Sequence, residues 1–158
     1  MKKQIFLAAA IFTSFTFVSC TESGDTTKPV ITLESPAEGE VLAADGEGIH
    51  FEMELEDNEG LASYKVEIHS NFDGHSHSVS SKTDSDATET VDFSFNQTWT
   101  DIAGQKNATI HHHEIVIPTD ATHGDYHFIV YCLDEAGNES YVVRSIEIGD
   151  ESSEEHDH

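Results

Sequence analysis

The chain has 158 residues, of which 7 are Lys or Arg and 31 are Asp or Glu, a formal net charge of −24. Phosphate backbones and anionic headgroups would repel such a chain, which argues against nucleic acid as a partner. Hydrophobic residues make up 37% and aromatics 9%, which suffices for one packed domain, and their turn-bounded recurrence argues against a disordered chain. The 11 histidines outnumber the lysines and arginines together, and that excess requires a reason.

The chain opens Met1-Lys2-Lys3, followed by an apolar stretch from Ile5 to Val18. A basic start and an apolar run of this length read as a secretory signal, too short to cross a bilayer as a helix. No later segment approaches membrane-spanning length. Phe17-Val18-Ser19-Cys20 resembles a bacterial lipobox, with Phe17 where Leu is usual. Residues 1–19 are thus expected to be a lipoprotein signal peptide, with Cys20 the lipidated first residue of the mature protein. The competing reading is an ordinary signal peptide with an incidental cysteine. Removing Lys2 and Lys3 would take the basic count from 7 to 5 against 31 acidic residues, a net −26.

Residues 20–28 are polar and read as a tether between anchor and domain. The domain is expected over residues 29–149, and residues 150–158 form an acidic, His-containing tail. Within the domain Pro29 to Leu33 opens the first strand. From Gly48 to Glu56, Ile49, Phe51, Met53 and Leu55 alternate with His50, Glu52, Glu54 and Glu56, a period-two strand with one apolar face. After the turn at Asp57 to Gly60, Tyr64, Val66 and Ile68 alternate in the same way. A polar stretch from Asn71 to Thr90 follows, and Val91, Phe93 and Phe95 alternate again. Ile110 to Pro118, Tyr126 to Leu133 and Tyr141 to Ile148 complete the set, the last two joined at Asp134 to Asn138. About seven short strands without helical periodicity predict an all-β, antiparallel β-sandwich of immunoglobulin or fibronectin type III kind. Cys132 lies in an apolar run and reads as a small buried thiol, and with Cys20 lipidated no disulfide framework is possible.

Two histidines lie in the tail, and His50 and His69 stand alone on polar strand faces. The other seven fall into three groups, His75 with His77, His111 to His113, and His123 with His127. On an extended chain residues i and i+2 point the same way, about 6–7 Å apart, close enough to share an ion. Imidazole suits Zn²⁺ or Cu²⁺, and the negative surface would concentrate divalent cations. His75, His77, His111, His113 and His127 are therefore the candidate metal ligands, in one shared site or two smaller ones. For any single histidine the plainer reading is a solvated polar residue. Parity counted back from Ile115 and Ile117 puts His111 and His113 on the inward line, unless a bulge intervenes.

Gly124-Asp125-Tyr126-His127-Phe128 through Asp134-Glu135-Ala136-Gly137-Asn138 resembles the last two strands of bacterial immunoglobulin-like repeats, in which a tyrosine at the place of Tyr126 packs at a corner between the sheets. Such folds host many functions, so none follows. Asp73-Gly74-His75-Ser76-His77, His111-His112-His113-Glu114 and Asp125-Tyr126-His127-Phe128 together resemble a family of bacterial lipoproteins classed as a domain of unknown function. The resemblance implies an immunoglobulin-like fold and a shared histidine constellation, without an activity.

The expectation is a binding protein and not an enzyme. It would be lipid-anchored in the cell envelope, at the periplasmic or surface face of the outer membrane, and would capture Zn or Cu or deliver it to an envelope transporter or receptor. A general-base role for Glu114 beside His113 is the weaker reading, since a strand offers no cleft. The alternative is an interaction or adhesion module for a protein or glycan. A Ca²⁺-dependent version would use Asp57, Asn58, Asp134, Glu135 and Asn138, whose plainer reading is turn formation.

Overall fold

The structure, a computed structural model, describes residues 24–71 and 90–150. The signal peptide, Cys20, His75, His77 and the tail histidines lie outside the described residues. The described residues form eight strands: β1 (Val30–Ser35), β2 (Val41–Ala43), β3 (Phe51–Glu56), β4 (Leu61–Ser70), β5 (Phe95–Trp99), β6 (Asn107–His112), β7 (Gly124–Asp134) and β8 (Glu139–Gly149). They form a three-stranded sheet in the order β1-β3-β6 and a five-stranded sheet in the order β2-β8-β7-β4-β5. Among the described residues there is no helix.

The alternation read from the sequence decides which faces meet. Phe51, Met53 and Leu55 of β3 are at most 1% exposed and face Tyr64, Val66 and Ile68 of β4 and Tyr126, Phe128 and Val130 of β7 within one core. Phe51 stands 5.8 Å from the Phe128 ring and 6.5 Å from that of Tyr64. Each such large side chain contributes about 1.5–3 kcal/mol on burial, so the two inward rows are the main tie between the sheets. Tyr126 closes one corner: its hydroxyl donates to the Thr122 carbonyl at 2.8 Å and accepts the Phe93 N–H at 3.4 Å.

The expected sandwich of about seven strands holds, with one strand more among the described residues: β2, which pairs parallel to β8 through Val41↔Glu147, Leu42↔Ile148 and Ala43↔Gly149. Three residues were too short a run to show alternation. The run Val91 to Phe95 is largely not strand: Val91 is 58% exposed and makes an isolated bridge to Ala121, while β5 covers Phe95–Trp99 against β4. The run Ile110 to Pro118 is broken. Strand β6 ends at His112, and the chain then bends before Ile115 and Ile117 re-enter the core fully buried.

Candidate metal centre

The break after β6 places the histidines. Within the sheet Phe51 pairs with His112 and Glu52 with His111. Beyond it, Gly48 bridges Val116, and the Ile49 N–H donates to the Ile115 carbonyl at 2.9 Å. Uninterrupted register would set Gly48 opposite Ile115, so the segment between His112 and Val116 carries one extra residue, a bulge. The bulge shifts the parity. His112 turns toward the core, whereas His111 and His113 point outward and are exposed. This reverses the inward assignment of His111 and His113, which assumed an unbroken strand through Ile117. Gly48 makes the bulge possible: a Cβ there would lie 1.8 Å from the His113 carbonyl oxygen.

The outward rings meet His50, which immediately precedes β3 on the neighbouring strand. Ring centroids are 4.9 Å apart for His50–His111, 5.4 Å for His50–His113 and 5.5 Å for His111–His113. One nitrogen from each lies within 4.8 Å of the other two, and all three residues are exposed. Zn–N bonds of about 2.0–2.1 Å in a tetrahedral set require nitrogens about 3.3 Å apart, so closure needs movements of an ångström or so from exposed side chains. Glu52, on the same face as His50, sets its Oε2 3.2 Å from His50 Nε2. A carboxylate on a ligating imidazole fixes the ring's orientation and raises its basicity.

His112 has another role. It packs between Phe51 and Trp99, with centroids 5.0 and 5.2 Å away. The Glu114 N–H donates to its Nδ1 at 3.3 Å, and its buried Nε2 has no partner. Burial holds its proton affinity below the ordinary imidazole range, against the opposing pull of Glu114 and Asp101. It is a packing residue under the outer face. Glu114 accepts the Trp99 indole N–H at 3.1 Å.

His127 lies on the other sheet. It pairs with His69 across β7 and β4, with centroids 5.5 Å apart, and so does not join His111 and His113. His69 and His127 stand where β4 leads into the segment carrying His75 and His77, outside the described residues. In the sequence His50 stands apart from the histidine groups as a scattered residue. The signal that could have found it was the β3–β6 pairing, which puts His50 beside the end of β6.

A second group of donors lies at the far end of β3, about 20 Å along the strand. Asp25, Asp57 and Asp134 each bring a carboxylate oxygen within 4.8 Å of the other two. Asp134 is 2% exposed, its Oδ1 accepting the Asn138 N–H and its Oδ2 the Asn138 amide, both at 2.7 Å. Asp57 Oδ2 accepts the Glu59 and Gly60 N–H groups at 2.8 and 2.7 Å. The turn-forming reading of Asp57, Asp134 and Asn138 therefore holds. It leaves over Asp57 Oδ1 and Asp25 Oδ2, both buried without a hydrogen-bond partner. Asp25, which the sequence placed in the tether, is held here by Asn138, whose amide donates to its carbonyl at 3.1 Å. The Thr27 N–H, and then the Asn58 amide, hold the Asp25 carboxyl below the usual range. Nearby, burial pushes the Cys132 thiol up to about 12, with Asp57 and Asp134 adding to the effect.

Compared with known proteins, residues 18–149 match the family model described as a domain of unknown function, DUF4625. No curated protein matches the chain.

Proposed function

The chain belongs to the DUF4625 family, a match that covers most of its length and leaves its activity to be argued from the site, and we propose that it binds a transition metal, Zn or Cu, through His50, His111 and His113. The observation that carries this reading is the convergence of three imidazole nitrogens within 4.8 Å on one exposed sheet face, built by a bulge and by Gly48. Imidazole is a borderline donor suited to Zn²⁺ and Cu²⁺, and a protein with 31 acidic residues and 7 basic ones concentrates cations at its surface. The exposed site fits capture and hand-over of the metal better than a structural role, in which four protein ligands would enclose it. The wider proposal is a lipoprotein anchored at Cys20 in the cell envelope, with an immunoglobulin-like sandwich that the Tyr126 corner supports.

Calorimetric titration of Zn²⁺ and Cu²⁺ tests the proposal. Sub-micromolar binding is expected, lost in a His50→Ala/His111→Ala/His113→Ala variant and kept in a His69→Ala/His127→Ala variant. Binding that survives the first variant and vanishes in the second would place the site elsewhere.

A second reading, an envelope interaction module stiffened by Ca²⁺, is favoured by the orphaned oxygens of Asp25 and Asp57 beside the buried Asp134. Hard carboxylate oxygens are the donors Ca²⁺ takes, and three carboxylates this close repel one another until a cation neutralises them. Differential scanning calorimetry in Ca²⁺ and in EGTA checks it. The melting temperature should rise with Ca²⁺ in the wild type and stay constant in Asp57→Asn, which keeps the turn hydrogen bonds.

A further inference from the structure

Beside the imidazoles the surface opens into a groove of about 350 Å³ lined by His50 and His113 together with residues of the edge strand β2. Val41 and Leu42 of β2 give it an aliphatic side, and Val41 is 45% exposed there. Glu40, Asp45 and Glu47 give it an acidic side. Among the described residues none of these three carboxylates forms an ion pair. Glu40 and Asp45 each accept a backbone N–H, from Ala37 and Glu47 respectively, so Glu47 is the least committed of the three.

Three protein nitrogens leave a transition metal at least one coordination position short, and here that position is not enclosed, since all three histidines are exposed. A molecule that bound the metal through this position would have the groove beside it, because two of the three imidazoles line that groove. Its walls would select for a positive charge. We infer that the site takes its metal as a ternary complex, with the open position filled by the nitrogen donor of a cationic, amine-bearing ligand whose charged arm lies between β2 and Glu47. The inference rests on the metal reading above and names the class of ligand that accompanies the metal.

The experiment uses the chain from residue 20 onward with Cys20→Ser, loaded with one equivalent of Co²⁺ and followed by visible absorption. The probes are N-aminopropylimidazole, N-methylimidazole and N-carboxyethylimidazole, which share a donor and differ in the charge of the arm. The aminopropyl probe should bind about fivefold to tenfold tighter than the methyl probe, the scale for three carboxylates acting through water, and the carboxyethyl probe weakest. Glu47→Gln should shrink that preference about twofold, and high salt should shrink it further. Equal affinity for the three probes, or a preference untouched by Glu47→Gln, would overturn the groove assignment while leaving the metal site standing. A protein that develops no Co²⁺ spectrum, or one whose spectrum persists in His50→Ala/His111→Ala/His113→Ala, would overturn both.

Discussion

Gly48→Ala links the fold to the site more directly than any ligand substitution. The added Cβ would stand 1.8 Å from the His113 carbonyl oxygen and 2.7 Å from its carbon, where real Cβ atoms essentially never come within 3.0 Å. The obstacle is backbone, so no side-chain rotation relieves it. The bulged segment must move outward by more than an ångström. That movement breaks the Ile49 N–H to Ile115 carbonyl bond at 2.9 Å and strains the Gly46 N–H to Ile117 carbonyl bond at 3.0 Å. At about 1 kcal/mol for each hydrogen bond, and about 1–2 kcal/mol for disturbing the fully buried Ile115 and Ile117, the loss is about 3–4 kcal/mol. Urea unfolding followed by Trp99 fluorescence measures it, with Gly39→Ala as the control. Gly39 has a φ of 75° but open space around its Cβ, so that variant should lose only about 1 kcal/mol. The same displacement carries His113 away from His50, so Gly48→Ala should also weaken Zn²⁺ binding at least tenfold. A Gly48→Ala protein within 0.5 kcal/mol of wild type, with unchanged metal affinity, would refute the close crossing that builds the site.

Tyr126→Phe removes the donor to the Thr122 carbonyl and the acceptor of the Phe93 N–H, and should cost about 1–2 kcal/mol in urea unfolding without altering metal affinity. The Cys132 thiol should resist alkylation at pH 8, peptide mass mapping showing modification only as the protein unfolds. Because its proton is held more tightly in the folded state, its contribution to stability is complete below about 9, the ordinary value, and is lost as the pH rises toward 12. Cys132→Ala should accordingly show a shallower alkaline decline in melting temperature. In EGTA, Asp57→Asn should melt higher than wild type by a few degrees, because it removes one of three mutually repelling carboxylates.

The strand rows of β3 and β4 were legible because each alternates over five or more residues against a buried face, and the inward positions of Phe51 and Tyr64 follow from that period. β7 is a continuous apolar run, so which of its faces is inward, that of Tyr126 and Phe128, is set by its pairing with β4. What local pattern could not carry was set by contacts distant in sequence. The bulge after His112 exists because Gly48, more than sixty residues earlier, admits the His113 backbone, and no periodicity within residues 110–118 reports it. The recruitment of His50 depends on the same β3–β6 pairing. For the histidines, spacing of i and i+2 points to His111 with His113 and leaves open whether His127 shares their site, a choice that only the sheet order decides, since His127 lies on the opposite sheet. Asp25 sits among polar neighbours, a pattern that reads as tether. Its place beside Asp134 depends on the Asn138 amide, a contact across 113 residues.

If one metal ion is shared by His50, His111 and His113, imidazole ¹⁵N NMR during a Zn²⁺ titration will register it ring by ring. The first equivalent should shift one ring nitrogen on each of these three residues in concert, while His112, packed between Phe51 and Trp99, keeps a single neutral tautomer. A first equivalent that shifted His69 and His127 instead, with the His50, His111 and His113 signals unmoved, would contradict it.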